Sequence, residues 1–208
     1  NLSEWAYYFC NNCPSGYSAM GGQTLNPYGR KKFDSGGSSS GSGVAISANF
    51  SSVSLGSETS GSILSPSSAN SIVGLKPTIG LVSRSGIVPI SSTLDTSGPM
   101  TKNVIDNAIV LKAISGFDQN DTFSVKKNNI DLQSIINSSL KGKRFGVFND
   151  FLDDSLYSNA INKIEKLGGI IIKFDPPQVD FSGFRKILDY DMKNDLPKYF
   201  KKNNVTFN

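Results

Sequence analysis

The feature that most constrains this chain is a pair of glycine- and serine-rich turns separated by short apolar segments. The first turn is SGGSSSGSG at residues 35–43, and the second is ETSGS at residues 58–62. This composition also suits a flexible linker. However, the small apolar run VAISANF (44–50) favours a helix after the first turn, and VSLGSE (53–58) favours a short buried strand leading into the second.

Turns in this position can place backbone N–H groups beside a hydroxyl group. A glycine-rich turn that feeds a helix gathers N–H donors and the positive end of the helix dipole at one point. The serines of these two turns are therefore the main candidates for chemistry. The pattern predicts a shaped active-site loop rather than a linker.

The sequence contains no histidine, which limits how a serine could be activated. A serine hydroxyl needs a base to become a good nucleophile. Within these residues the base cannot be histidine, so Lys, Asp, Glu, Tyr or Ser must do the acid–base work. Cys10 and Cys13 form a C-x-x-C pair with no second ligand pair, and we interpret them as an incidental loop pair. We therefore expect no metal and no cofactor.

The charge distribution argues against two classes of partner. The net charge is +4, and the densest basic clusters are residues 30–32 and 141–144. Nucleic-acid and membrane-surface proteins usually show a stronger basic footprint. No apolar run approaches the length of a membrane span. We expect neither nucleic acid nor membrane as a partner, and the sequence leaves the oligomeric state open.

Residues up to 116 predict short elements joined by long loops. LSEWAYYF (2–9) suits a short helix, and residues 10–37 predict a loop that wraps the site. A hairpin-like bend is expected around Ser85–Gly86. Residues 101–116 predict an amphipathic helix with Thr101 as its N-cap. Its apolar face would comprise Val104, Ile105, Ala108, Ile109, Leu111, Ala113 and Ile114.

The remaining residues predict a strand–helix–strand–helix order after a polar connection at 117–134. The strands are expected within 140–150 and 170–175, and the helices within 153–169 and 181–202. A strand–helix–strand order indicates a parallel pair.

These elements predict an α/β fold with a mixed central β-sheet flanked by helices. We expect residues 1–208 to form one partial domain. Its core would be residues 1–116, and residues 117–208 would continue the same domain.

Several motifs in a fixed order resemble one known family. GGSSSGSG, LGSETSGSI, GLKPTIGLVSRSGIVP and LDTSGPM follow one another as they do in the amidase signature family. NLSEWA and GYSAMGGQTLNPY, which precede them, also fit. The chain is most similar to the branch that contains bacterial peptide amidase and related fungal amidases, and the resemblance is strongest over residues 1–116.

The resemblance implies a Ser–Ser–Lys triad. It makes Ser62 the nucleophile and Ser38 the middle serine, which follows a cis peptide bond. It assigns the oxyanion hole to the backbone of Thr59, Ser60 and Gly61, and it implies substrate binding by Met20, Gly21 and Gly22. Glu58 is expected to orient the loop through backbone N–H groups, and Arg84 and Asp95 are expected to tie loops together rather than to catalyse.

The chain departs from the family pattern in its lysine. The family's lysine lies well before the Gly/Ser run, and no such motif lies between Asn1 and that run. Lys76 belongs to a structural motif, and Lys31 and Lys32 are in the wrong register. We therefore expect that the chain is a fragment without its general base and that it is inactive alone. The chain also has a serine, Ser60, at a position where many members of the family have glycine.

The resemblance implies hydrolysis of a linear carbon–nitrogen amide bond in a small-molecule or peptide amide. A C-terminal peptide amide is the favoured substrate. One alternative is an A-type component of an amidotransferase, which acts on aminoacyl-tRNA together with partner proteins. The other is an inactive amidase-like domain that binds a partner or is a remnant. The sequence upstream of Asn1 would separate an enzyme from an inactive domain.

Overall fold

The structure is a computed structural model that describes residues 12–126 and 130–205. The helix predicted at residues 2–9 lies outside these ranges. Cys13 is disulfide-bonded, and Cys10, the other cysteine of the sequence, lies outside the described residues.

The chain divides into two compact units, which are described separately below. The first unit comprises Asn1–Leu132 and Phe184–Asn208, and the second comprises Gln133–Gly183. In chain order the elements are β1 (Tyr17–Ser18), β2 (Gly22–Gln23), α1 (Ser40–Ser47), β3 (Val53–Glu58), α2 (Leu64–Ala69), β4 (Val73–Gly74), β5 (Thr96–Thr101), α3 (Val104–Ile114), α4 (Leu132–Ile136), β6 (Arg144–Phe148), a 3₁₀ turn (Asn149–Phe151), α5 (Ser155–Lys166), β7 (Ile170–Phe174) and α6 (Phe184–Lys202).

The first unit is built around a three-stranded antiparallel sheet in the order β3-β5-β4. Leu55 of β3 lies opposite Pro99, and Val73 of β4 lies opposite Thr101. The central strand β5 reads TSGPMT and is buried at all six residues. Its sequence has no alternation of apolar and polar residues, so the strand was not predicted. Its small side chains allow close packing, since a Cβ at Gly98 would collide with the carbonyl oxygen of Leu75.

The helix and the strand predicted around the two Gly/Ser turns are present as α1 and β3, and the helix predicted at residues 101–116 is present as α3. One boundary was wrong, because Thr101 is the last residue of β5 and pairs with Val53. The N-cap of α3 is Asn103, whose side-chain oxygen accepts a hydrogen bond from the Asp106 N–H at 2.9 Å.

Two apolar faces are more exposed among the described residues than the sequence predicted. Val53 and Leu55 of β3 are 42% and 50% exposed, so β3 is only partly buried. On α3, Ala108 is buried, whereas Val104, Ile105 and Ile109 are exposed.

The second unit contains the predicted strand–helix–strand segment. Strands β6 and β7 are parallel, with Arg144 opposite Ile170 and Phe148 opposite Phe174. Helix α5 connects them, as a parallel pair requires. Asp154 caps α5 by accepting a hydrogen bond from the Tyr157 N–H at 2.9 Å.

The final predicted helix is α6, which belongs to the first unit. Antiparallel and parallel strand pairs flanked by helices confirm the predicted α/β class. None of the helices within the described ranges has the length and apolar character needed to cross a membrane.

Candidate active site

Both candidate serines line one open cavity of about 240 Å³ in the first unit. Ser38 and Ser62 are half-buried. The rest of the lining comes from the end of β3, the loop from Arg84 to Thr96, residues 120–122 and the last turns of α6. The structure therefore brings together the two serines that the sequence singled out.

Ser38 is held by a loop that only glycine allows to pass close to α2. Gly36 has φ +63°, and a Cβ there would lie 2.6 Å from Cα of Pro66. The buried Asn70 amide donates hydrogen bonds to the carbonyl oxygens of Ser35 and Pro66, both at 2.8 Å. The peptide bond between Gly37 and Ser38 is cis, as the resemblance implied.

Ser39 joins the two serine-bearing loops directly. Its N–H donates to the carbonyl oxygen of Ser62 at 3.1 Å. Its hydroxyl donates to the carbonyl oxygen of Ser57 at 3.1 Å and accepts from the Ser57 N–H at 3.2 Å. Since Ser39 is buried, these bonds are shielded from water and fix the spacing of the loops.

Ser62 lies on the turn between β3 and α2. The buried carboxylate of Glu58 accepts hydrogen bonds from the N–H groups of Ile63 and Leu64 at 2.8 and 2.9 Å. The predicted structural role of Glu58 is therefore confirmed. Gly61 has φ +88°, a conformation that glycine adopts at little cost.

The three residues predicted to form the oxyanion hole, Thr59, Ser60 and Gly61, occupy this same turn. We call them the oxyanion turn. Thr59 also lines the cavity. Among residues 12–126 and 130–205, the N–H groups of Ser60 and Gly61 have no hydrogen-bond acceptor. Neither Ser60 nor Gly61 is among the residues that line the described cavity, so of the three residues Thr59 is the one placed there.

Asp95 links the oxyanion turn to another part of the cavity lining, the segment at Ile90 and Ser91. Its Oδ1 accepts from the Thr59 hydroxyl at 2.5 Å, and its Oδ2 accepts from the N–H groups of Ile90 and Ser91 at 2.8 and 2.9 Å. Burial raises the pKa of Asp95, while the hydrogen bonds from Thr59, Ser91 and Ile90 oppose that rise.

Arg84 ties the neighbouring loops together, as predicted. Its guanidinium donates to the carbonyl oxygens of Ser92 and Asp95 at 2.6 and 3.3 Å. It also forms a salt bridge with Asp121 at 3.0 Å. Burial alone would raise the pKa of Asp121, but the hydrogen bonds from Arg84 and the Phe123 N–H hold that pKa below its ordinary value.

Helix α6 supplies a wall of the cavity that was not predicted from the sequence. Its lining residues recur at the helical spacing 195, 198, 199 and 202, and this polar stripe is a signal that could have found them. Asp191 and Asp195 anchor the helix, because their carboxylates accept from the Ser91 hydroxyl at 2.5 Å and the Ser92 N–H at 2.9 Å.

The predicted substrate-binding residues lie elsewhere. Met20 and Gly21 form the turn between β1 and β2, Gly22 begins β2, and Met20 is 77% exposed. In the described part of the chain, these three residues are not among those that line the cavity.

The lysines that line the cavity are not the ones that the sequence analysis weighed as possible general bases. Lys198 and Lys202 of α6 line the cavity, whereas Lys31, Lys32 and Lys76 are absent from its described lining. Lys198 pairs with Asp195 at 3.5 Å, and Lys202 donates to the carbonyl oxygen of Asn120 at 3.3 Å. Within the described residues, no group of His, Cys, Asp or Glu side chains could hold a metal ion.

Known proteins share both the sequence pattern and the fold. A family model described as Amidase matches residues 1–202. A probable amidase of Arabidopsis thaliana is 43% identical over 177 residues, which are 83% of this chain and 34% of the relative. A putative amidase of the fungus Arthroderma benhamiae is 38% identical over 221 aligned positions, which cover 96% of this chain and 36% of that protein.

An amidotransferase is a further relative. The A-type component of the glutamyl-tRNA(Gln) amidotransferase of Staphylococcus aureus is 39% identical over 178 residues, which are 78% of this chain and 36% of that protein. The chain thus spans about a third of the length of the curated relatives that it matches.

A solved structure extends this likeness to the fold. The native peptide amidase from Stenotrophomonas maltophilia matches with a TM-score of 0.88 and 40% identity, covering 98% of this chain and 44% of that one. Fold and site thus define an α/β protein with a two-serine cavity. The chain belongs to the amidase family.

Proposed function

We propose that the complete protein carrying residues 1–208 hydrolyses a linear carbon–nitrogen amide bond, with Ser62 as nucleophile and Ser38 as proton relay. The observation that carries this proposal is that both serines line one cavity, on loops joined through Ser39. Membership of the amidase family supports the same chemistry.

The reaction would proceed through an acyl-enzyme. Ser62 Oγ would attack the amide carbon while its proton passes to Ser38, and Ser38 would at the same time give its own hydroxyl proton to the general base. The same relay would then run in reverse and supply the proton of the leaving group. The amine or ammonia would leave with a proton, and water would then hydrolyse the ester on Ser62. Splitting the hydrolysis in this way replaces one difficult step by two easier ones.

The oxyanion turn would stabilise the negative charge that develops on the amide oxygen. Its N–H groups at Ser60 and Gly61 have no acceptor in the described ranges, and they lie just before Ser62 on the chain. Oxyanion donors are among the largest single contributions to acyl transfer, at about 3–4 kcal/mol each.

The general base would be a lysine from outside residues 1–208, as the family resemblance implies. The cavity-lining Lys198 and Lys202 are poor substitutes, because their side-chain nitrogens are engaged by Asp195 and by the carbonyl oxygen of Asn120. We therefore expect residues 1–208 alone to show no turnover.

The substrate that we favour is a C-terminal peptide amide. The similarity to peptide amidase covers 98% of this chain. The cavity also has an apolar wall, residues 87–90 with the sequence IVPI, which suits an apolar acyl group. The small Met20–Gly22 segment would contribute to binding only if the substrate extends beyond the described cavity.

A second candidate function is that of the amidotransferase component. The similarity to the Staphylococcus aureus protein favours it. The identity, 39%, is close to the 40% found for peptide amidase, but the match covers 78% of this chain rather than 98%. That role requires partner proteins and an aminoacyl-tRNA. Release of ammonia from peptide amides by the isolated complete protein would favour the amidase.

The test is covalent labelling of the complete protein by a fluorophosphonate, followed by ammonia release from a peptide amide. We expect labelling at Ser62 and a loss of at least about 10³-fold in kcat in Ser62→Ala. Ser38→Ala should also lose turnover, because the relay is broken. Absence of labelling and of turnover would favour an inactive binding domain, and labelling that persists in Ser62→Ala would identify a different nucleophile.

A further inference from the structure

The carboxylate of Asp95 joins two chain segments that line the cavity, yet the chemistry proposed for the serines does not use it. Oδ1 accepts from the Thr59 hydroxyl, and Oδ2 accepts from the N–H groups of Ile90 and Ser91. Both oxygens are therefore engaged as acceptors. One end of this linkage is the oxyanion turn, and the other is the end of the apolar wall at residues 87–90.

Thr59 is the residue through which this carboxylate reaches the candidate site. The far end of the oxyanion turn is fixed by Glu58, which accepts from the N–H groups of Ile63 and Leu64. The near end is fixed by the bond from Thr59 to Asp95. A turn held at both ends keeps the N–H groups between them in one orientation, as a preorganised oxyanion hole requires.

We infer that Asp95 is a positioning residue. Its contact with the Thr59 hydroxyl holds the oxyanion turn in a fixed position relative to the apolar wall. This inference rests on the proposed amide hydrolysis. It gives the Thr59 side chain a role beyond that of its backbone. It also gives Asp95 a role beyond tying loops, because both segments that it ties contribute residues to the cavity lining.

The chemistry of the three donors requires a carboxylate at this position. Asparagine has nearly the same shape, but one of its two terminal atoms is a donor. In Asp95→Asn that NH₂ group would face either the Thr59 hydroxyl or the two backbone N–H groups. In the first orientation the Thr59 hydroxyl would have to accept instead of donate, and its own proton would lose its acceptor. In the second orientation the N–H groups of Ile90 and Ser91 would both lose their acceptor.

The experiment compares variants at both ends of the bond in the complete protein. Asp95→Asn and Thr59→Val should each lower kcat for peptide amide hydrolysis by about 10- to 100-fold, with KM changed less than about threefold. Thr59→Ser keeps the hydroxyl and should stay within about threefold of the wild-type kcat. The rate at which a fluorophosphonate labels Ser62 should rank the variants in the same order as kcat does.

A double variant separates positioning from a general loss of stability. If one bond carries the effect, the double variant Thr59→Val/Asp95→Asn should be no slower than the slower single variant. If the fold-losses in kcat of the two single variants multiply in the double variant, the inference is overturned. A wild-type kcat in Thr59→Val would also overturn it. Thr59→Val leaves the contacts of Asp95 with Ile90 and Ser91 intact, so it decides the matter if Asp95→Asn does not fold.

Asp118→Asn is the matched control. Asp118 also accepts from a serine hydroxyl, that of Ser83 at 2.6 Å, and from a backbone N–H, that of Asn120 at 2.8 Å. It does not line the described cavity, and its variant should keep the wild-type kcat. An equal loss in Asp118→Asn would overturn the inference.

The proposed function and this inference fail in different ways. A wild-type protein that neither labels at Ser62 nor releases ammonia would refute the proposed function, and the inference with it. A wild-type protein that labels and turns over, with Asp95→Asn equally fast, would refute only the role of Asp95.

Discussion

The loops around Ser38 and Ser62 and the β6–α5–β7 segment are stabilised by different interactions. In the first, buried polar side chains such as Asn70, Ser39 and Glu58 bond to the backbone of neighbouring chain segments. In the second, parallel strands pack beneath one amphipathic helix, whose Ile161 is buried. The loops near the cavity therefore add a polar scaffold to an apolar core that includes the fully buried Ile46 and Ile63, whereas the second unit is held by apolar contacts around Val147 and Ile161.

This difference has a consequence for mutation. Hydrogen bonds are directional, so a polar scaffold fixes atomic positions more tightly than apolar contact does. Removing a polar contact near the serines should disturb stability and activity together. Removing a stabilising contact in the second unit should affect stability alone.

The largest effect is expected from adding a methyl group at Gly36. Its φ is +63°, and the added Cβ would lie 2.6 Å from Cα of Pro66, so Gly36→Ala is both strained and crowded. We expect the free energy of unfolding to fall on the order of 4 kcal/mol, with loss of turnover, because the Ser38 loop must shift. Urea denaturation and ammonia release would measure both.

Gly142→Ala is the control from the second unit. Gly142 also has a positive φ, +75°, but a Cβ there would meet nothing within 4 Å. The cost should be about 1 kcal/mol, with turnover unchanged. Equal costs at the two glycines would contradict the proposed crowding at Gly36.

A smaller effect is expected from Asp121→Asn, which leaves Arg84 without its carboxylate. The side chains of Arg84 and Asp121 are only 12% and 4% exposed, so the free energy of unfolding should fall by about 3 kcal/mol near neutral pH. The hydrogen bonds from Arg84 lower the pKa of Asp121 in the folded state despite its burial.

The pH dependence of this effect has a definite sign. A lowered folded-state pKa stabilises the protein above the unfolded value of about 3.9, and that stability is lost as the pH falls through the folded-state pKa. The difference between wild type and Asp121→Asn should therefore be large at neutral pH and shrink in strong acid. A constant difference would show that charge is not its cause.

The same contrast explains what the sequence could predict. The second unit follows simple patterns: short apolar runs typical of strands and a helix capped by Asp154. The serine-bearing loops have no such pattern. Ser38 and Ser62 could be singled out only because ordered motifs resemble a family, and their roles remain predictions.

The parts that the sequence missed depend on contacts between distant residues. Strand β5 reads TSGPMT, and it is a strand because β3 and β4 pair with both its edges. Asp195 belongs to the cavity wall formed by α6, and it accepts a hydrogen bond from the N–H of Ser92, which lies 103 positions earlier in the sequence. Local propensity carries no information on such pairings.

The smallest effect is predicted for the second unit, at the N-terminus of α5. The Asp154 carboxylate accepts a hydrogen bond from the Tyr157 N–H at 2.9 Å. In Asp154→Ala that N–H loses its acceptor, so the free energy of unfolding should fall by about 1 kcal/mol. Asp154→Asn keeps a capping oxygen and should lose only a small part of that amount, and the exposed neighbour Asp153→Ala should be nearly neutral.

All three of these variants should retain the wild-type kcat, measured as ammonia release. The reason is that the cap lies in the second unit, whereas the residues that line the cavity belong to the first. A drop in kcat with Asp154→Ala would mean that the second unit supports the candidate site. The division between a polar scaffold for activity and an apolar one for stability alone would then have to be abandoned.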